Sequence, residues 1–314
     1  METVNLIVRR LFRGILTIVL TVIIVFTLIR SVPGDPAVIM AGSDATPEQI
    51  EQIRVSWGLN ESKPKQFWIY VKGLLQGNMG YSFQYITTSV RSVKVIDLIM
   101  ERLPRTLLLA AMTVVFSVLV AVPLGVITAL KPGSAFDNFV TTVSLAITSF
   151  PNFFVGMVMI TVFALKLGWL PTGGYGSFKA MILPTIALSL RFIASLQRVT
   201  RTEVGMVLNS DYIMTAQSKG LSHPVVLFRH ALRNVLIPVI TLIGMRMGGL
   251  ITGAVYVETL FRYNGIGMLM INAVNARDFP TIQALVPYAA CVFILINIVI
   301  DVLYSIADPR VRVK

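Results

Sequence analysis

The sequence predicts an all-α protein that crosses a membrane several times, and three observations carry that reading. Of the 314 residues, 55% are hydrophobic and only 13% are charged, against about 45–50% and about 25% in soluble domains. The apolar residues gather into runs of about 20, the length a helix needs to span a bilayer. The 27 lysines and arginines outnumber 15 acidic residues, and many sit beside the ends of those runs, where the positive-inside rule puts them on the cytoplasmic face.

Six spans are expected, at about Leu11–Ile29, Thr106–Leu130, Phe139–Leu165, Ala180–Leu196, Val235–Val257 and Ile282–Ile306. The first resembles a signal peptide in its leading Arg9, Arg10 and Arg13, but its apolar run is too long and "RSVPGDPA" follows in place of a small-residue cleavage site. It reads as a retained helix. Basic residues before the first span, at Lys131 after the second, at Arg198, Arg201, Lys219, Arg229 and Arg233 after the fourth, and at Arg310, Arg312 and Lys314 all fall on one side if there are six spans. Both termini are then cytoplasmic. Three regions follow: a segment with the first span (1–30), an extracytoplasmic loop subdomain (31–105) and a membrane core (106–314) holding the polar segment 210–238.

The loop subdomain carries its own helix signals. "TPEQ" sets Thr46 as an N-cap, Pro47 at the first helical position and Gln49 as its capping-box partner. Ile50, Ile53 and Trp57 share a face, and Gly58 ends the helix. A second amphipathic helix runs from about Pro64 to Gly77, with Phe67, Trp68, Val71, Leu74 and Leu75 as its apolar side. Such a subdomain serves as a cap over the outer mouth, a docking surface for a soluble partner, or both.

The most unusual stretch is "TAQSKGLSHPVVLFRHALRN", basic and turn-containing within an oily chain. A helix capped by Ser210 or Asp211 should end at Gly220, and a second should restart with Ser222 as cap and Pro224 in its first turn. Val225, Val226, Phe228, Leu232 and Leu236 give the second helix an apolar stripe that needs cover from the chain's own helices or from another protein.

These residues resemble the coupling loop of ABC importer permeases, specifically the dipeptide/oligopeptide/nickel class. "TAQSKGLS", "FRHALRN" and Pro238 carry the likeness, and it extends through "PGDPA", "RLPRTLLLA", "SFPNFFVGM", "LGWLPTGGY", "VETLFRYNGIGMLMINAVNARDFP" and "DPRVR" in order. The chain departs from the family pattern at Met214 and Thr215, which replace the acidic residue and first alanine, and at Arg233, with the proline delayed to Pro238. It also has "GNMG" for "GDLG" and "FRYNGIG" for "FSWPGLG".

The resemblance implies a subunit of an ATP-driven importer in the bacterial inner membrane, forming half of a path for di- or oligopeptides delivered by an extracytoplasmic substrate-binding protein. Nickel chelates, glutathione-like compounds and opines are its other implied cargoes. The implied partners are a second, different permease subunit, two ATP-binding cassette subunits and the lipid bilayer, with no nucleic acid. Ala216, Gly220, Leu221, Ser222, Phe228, Arg229 and His230 are the implied contacts with the ATPases. No G-x-x-x-x-G-K-[ST] loop occurs, so ATP and magnesium belong on the partners and this chain is expected to bind no cofactor and to be no enzyme. Cys291 stands alone and His223 and His230 read as ordinary polar-face residues, so no metal site is expected.

Ionisable residues within spans mark candidate paths. Arg246 lies mid-span, where an arginine costs about 2.5–3.5 kcal/mol, and Arg191, Ser195 and Arg198 share a face of the fourth span. Both arginines suit a path used by an anionic group such as a peptide carboxylate. Phe150, in a proline-kinked third span, is a candidate constriction. Gly244, Gly248, Gly249 and Gly253 give small-residue spacings for close helix contact, within the chain or with the second permease. An ion-coupled secondary transporter is disfavoured because Glu258 and Asp301 lie only near span ends, and a membrane enzyme because no His/Asp/Glu cluster or G-x-S-x-G occurs.

Overall fold

A computed structural model describes residues 2–41, 45–86, 92–222, 225–226 and 231–307. In chain order the elements are α1 (Glu2–Ser31), α2 (Pro36–Ala41), α3 (Pro47–Ser56), α4 (Lys63–Leu75), β1 (Tyr81–Ile86), β2 (Ser92–Lys94) and α5 (Val95–Leu130). Then come α6 (Ala135–Ser149), α7 (Asn152–Met159) running into a π-helical stretch (Ile160–Lys166), α8 (Phe178–Leu208) and α9 (Asp211–Ser218). The last are α10 (Leu232–Leu260), α11 (Ile266–Asn275) and α12 (Phe279–Ala307).

Among the described residues, four helices are long and apolar enough to cross a membrane, over Arg10–Ser31, Val95–Leu130, Phe178–Leu208 and Phe279–Val299. Large apolar side chains such as Phe12, Leu28, Leu119 and Leu295 point outward from them. In water such a surface invites aggregation, whereas lipid solvates it. Helix α10 covers the expected fifth span, and its 29 residues reach about 43 Å, more than the roughly 30 Å of a bilayer core.

The third span is not one kinked helix, as the sequence suggested. Helices α6 and α7 meet at 106° and qualify as a span only as a broken pair. Pro151 lacks a donor and pushes its predecessor out of the helical region. Phe150 (ψ 142°) and Pro151 (ψ 145°) are accordingly both extended, so the helix stops and starts afresh. Helix α8 also outruns the expected fourth span, continuing to Leu208, and α5 begins at Val95 rather than Thr106.

The chain forms two compact units, Met1–Arg105 with Gly265–Leu295, and Thr106–Asn264 with Ile296–Lys314. In the first, Thr46 caps α3 as expected: its hydroxyl accepts from Gln49 N, and Gln49 Oε1 accepts from Thr46 N at 2.9 Å. Thr46→Ala should lower the melting midpoint of the purified protein by the equivalent of about 1 kcal/mol, or less if α3 frays before the rest unfolds. Gly58 closes α3 at φ +60° and Gly77 follows α4 at φ +68°. Arg54 of α3 pairs with Asp35 ahead of α2, and the guanidinium holds the Asp35 carboxyl below the usual carboxylate range.

Helix α4 does not present the whole expected apolar side inward. Phe67 packs edge-on against Phe26 of α1, 5.2 Å between ring centroids, while Trp68 and Leu75 stay exposed. Gln66 is buried instead and accepts from Arg30 Nε at 2.8 Å. Tyr70 Oη donates to the Gln283 carbonyl at 2.8 Å, tying α4 to α12. The antiparallel pair β1–β2, with Tyr81 opposite Lys94 and a register shift before Ile86 meets Ser92, went unread in the sequence, as did α2 and α11. Ser82 of β1 donates to Asp278, whose carboxylate also receives Thr281 N and Oγ1 at the start of α12. Val95, Leu98, Ile99, Leu269, Ala284 and Leu285 form the core beneath.

In the second unit α8 is the central helix. Its inward face, from Leu183 through Phe192, joins Leu109, Val257, Phe261 and Tyr263 in one core. Further along, Leu196 and Val204 join Ala121, Ile213, Val235 and Val239 in another. Gly125 of α5 makes a close crossing possible, since a Cβ there would lie 2.6 Å from Thr200 Cβ. Buried polar groups at this crossing are satisfied locally: Gln197 Nε2 donates to Thr128 Oγ1 at 3.1 Å.

Candidate functional site: the reversal after α8 and an arginine pocket

Helix α8 ends in a compact reversal. Asn209 Nδ2 donates back to the Gly205 carbonyl, and Ser210 Oγ to the Val207 carbonyl at 2.6 Å. Ser210 therefore spends its hydroxyl on α8, while its carbonyl accepts Met214 N at 3.1 Å and opens α9. Lys219 N reaches the Thr215 carbonyl, Leu221 N reaches that of Ala216, and Gly220 lies between them at φ +78°. This is a left-handed helix stop that glycine adopts without strain. The chain then restarts helically, Val226 N bonding to the Ser222 carbonyl at 3.1 Å.

The segment has an inner and an outer face. Ile213, Ala216 and Val226 are buried against α5, α8 and α10. Ala216, expected to meet a partner, thus serves the chain's own packing. Tyr212, Met214, Leu221 and Val225 are exposed, as are Gly220 and Ser222. Phe228, Arg229 and His230 lie outside the described residues, as do His223 and Pro224.

A second feature lies between α8, α10 and the start of α7. Arg191, Ser195 and Arg246 line one pocket of about 220 Å³ with Asn152, Leu188, Phe192 and Leu250. Sequence reasoning had singled out the two arginines and the serine without placing them together; Asn152 it missed. Both guanidinium-bearing residues are exposed. Arg191 Nη2 reaches the Thr148 carbonyl at 3.4 Å, and Ser195 Oγ donates to the Arg191 carbonyl at 3.1 Å. Asn152 Oδ1 is buried without a hydrogen-bond partner among the described residues. Phe150 does not line this pocket; it stands exposed at the α6–α7 break, stacked on Phe154 at 5.4 Å.

Of the candidate packing glycines, Gly253 faces its own chain: a Cβ there would come 3.2 Å from Leu188 Cδ1. Gly244 is buried, and for Gly248 and Gly249 only the helical backbone is described. A further element was not anticipated. Arg201 near the end of α8 grips Asp137 of α6 with two bonds, Nε to Oδ1 at 2.6 Å and Nη2 to Oδ2 at 2.7 Å. Gly133 N donates to the same carboxylate at 2.9 Å. The sequence shows an arginine near a predicted span end but not its partner 64 residues away.

The pattern of the family described as "Binding-protein-dependent transport system inner membrane component" matches residues 121–313, and that of its N-terminal membrane component matches residues 3–110. A probable peptide ABC transporter permease of Sinorhizobium fredii is 38% identical over 314 residues, 98% of each chain. The glutathione transport system permease GsiC of Escherichia coli K12 is 37% identical over 310 residues, 99% of each. Among solved structures, the MetNI methionine ABC transporter in inward-facing form superposes with a TM-score of 0.54 at 17% identity, over 67% of this chain and 96% of that one. An amino acid ABC transporter solved with histidines gives 0.51 at 15%, over 68% and 94%. The solved structures share the fold, and the sequence matches over nearly the full length show the family: the chain belongs to the binding-protein-dependent transport system inner membrane components and is a multi-pass permease subunit of an ABC importer.

Proposed function

We propose that this permease carries di- or oligopeptides and pairs with a second, different permease in a complex with two ATPase subunits and an extracytoplasmic binding protein. Glutathione, itself a peptide, falls in the same chemical class, and relatives named for peptide and for glutathione transport stand at nearly equal identity. In this reading the chain has six spans, the fifth being α10 and the third the broken α6–α7 pair, with both termini cytoplasmic.

The observation that carries the mechanism is the outer face of the coupling segment. Tyr212, Met214, Leu221 and Val225 are exposed, while Ile213, Ala216 and Val226 of the same segment are buried in a cluster with three long helices. A groove on an ATPase subunit would cover that face. Movement of the ATPases would then reach α5, α8 and α10 as rigid-body displacement rather than being lost in a slack loop. The polar pocket on α8 and α10 would line the path.

The cargo is tested by reconstituting the complete transporter in liposomes with ATP on the ATPase side and measuring uptake of labelled trialanine and glutathione. Accumulation of either, dependent on ATP and on the binding protein, is the expected result. Failure of both, with ATP hydrolysis intact, would reject the peptide reading.

A further inference from the structure

We propose that Arg191 and Arg246 together form a transient site for the C-terminal carboxylate of a peptide halfway along the translocation path. The inference deepens the peptide-import reading and rests on it. Both arginines line the same pocket, and no aspartate or glutamate lines it with them. Neither has an ion pair among the described residues; the only hydrogen bond shown for either side chain is the 3.4 Å contact from Arg191 to the Thr148 carbonyl, at the outer limit for such a bond. An arginine that merely braced two helices would be expected to have its donors saturated by nearby acceptors.

Position sharpens the point. Arg191 lies near the middle of the 31 residues of α8, and Arg246 at the middle of the 29 residues of α10. Each is therefore about 20 Å along its helix from the nearer end. Two like charges lining one pocket repel each other, and an anion between them offsets that repulsion. The guanidinium forks match a carboxylate in shape as well as charge.

The surroundings suit the same ligand. The pocket holds about 220 Å³, room for about seven waters at about 30 Å³ each, enough for a carboxylate and the residue bearing it. Ser195 stands beside the arginines, and its hydroxyl oxygen offers the terminal peptide N–H an acceptor. The arginines are exposed rather than sealed, so the site holds its anion loosely. A path requires that, because a cargo that binds must also leave.

The test uses the complete reconstituted transporter, with Arg246→Gln, Arg191→Gln and Arg246→Lys in this chain and every other subunit unchanged. The probes are trialanine and trialanine amide. Each Gln variant should lower trialanine uptake, measured per ATP hydrolysed by the same preparation, by about tenfold, the worth of one charge-assisted hydrogen bond. Arg246→Lys should retain most of the uptake. Amide transport should change much less than acid transport; if the wild type rejects the amide, the Gln-against-Lys contrast decides.

Gln variants that carry trialanine at the wild-type rate would overturn the site. So would equal losses for acid and amide, or loss of basal ATP hydrolysis in Gln and Lys variants alike, because either marks the arginines as structural. A wild-type transporter that hydrolyses ATP but moves neither peptide fails at the earlier step, the peptide reading itself.

Discussion

Arg201→Ala should destabilise the folded chain by about 3–5 kcal/mol, and more than Asp137→Ala does. The two side chains share a bidentate ion pair, but Asp137 is 2% exposed and Arg201 33%. Removing the arginine strands a carboxylate where water cannot reach it, with Gly133 N as the main remaining donor. Removing the carboxylate leaves a guanidinium that water already wets, and the loss should be nearer about 2 kcal/mol. The double variant should lose less than the sum of the two, because the second substitution has no partner left to strand. Thermal unfolding of the four proteins in one detergent gives the ordering directly. Equal losses, or a larger loss for Asp137→Ala, would mean the pair is solvated and exchangeable. The pair ties α6 to the last third of α8, whose end is separated from α9 by two residues of turn.

Gly173→Ala should prevent the second unit from forming its native core. A Cβ at Gly173 would sit 1.8 Å from the Phe261 carbonyl oxygen and 2.5 Å from its carbonyl carbon. These are backbone atoms, so no rotamer change relieves the overlap. The neighbouring Gly174 N donates to that same carbonyl at 2.8 Å, which fixes the loop against it. Phe261 and Tyr263 are wholly buried, and Tyr175 packs edge-on against Tyr263 at 5.7 Å between centroids. Either the loop lifts off and uncovers this cluster or Phe261 moves within it, and overpacking of this kind costs about 3 kcal/mol or more. Gly168→Ala is the control. Its φ of +63° imposes left-handed strain, but nothing lies within 4 Å of the added carbon, so the loss should stay near about 1 kcal/mol. Size-exclusion profiles of the two variants after solubilisation should show Gly173→Ala aggregated and Gly168→Ala monodisperse.

The all-α, multi-span character and the local helix punctuation were the parts most open to reading from residues alone. Thr46, Pro47 and Gln49 form a capping box because the side chains involved are three positions apart and need no distant partner. Gly58 and Gly220 stop helices for the same local reason. The break at Phe150–Pro151 was visible as a kink, but its angle depends on how α6 and α7 pack on other helices, which no window of sequence contains. The segment 211–222 was legible as a helix and turn, whereas the inward aim of Ala216 depends on Leu196, Val204 and Val235 from two other helices.

The same limit explains the other misses. Arg191, Ser195 and Arg246 each stood out as polar residues in apolar runs, yet their common pocket exists only because α8 and α10 lie side by side. Asn152 gave no signal, since an asparagine after proline reads as an ordinary helix start. Ser82 and Asp278 lie 196 positions apart, so the bond joining the hairpin to α12 had no local trace. A six-residue β1 and a three-residue β2 are too short for their alternation to stand out beside long helices.

The central claim is that the reversal at Gly220 presents the coupling segment to an ATPase. No described residue lies within 4 Å of a Cβ placed on Gly220, so a large side chain there meets open space and would obstruct a partner docked on this face. The deciding measurement is co-purification of the ATPase subunits with wild type, Gly220→Ala and Gly220→Trp, each co-expressed with the full set of partners. Gly220→Ala carries only the left-handed backbone strain, about 1–2 kcal/mol, and should retain the ATPases. Gly220→Trp should lose them while the permease stays monodisperse. ATPases that remain bound to a folded Gly220→Trp permease would contradict the account and move the coupling surface elsewhere on the chain.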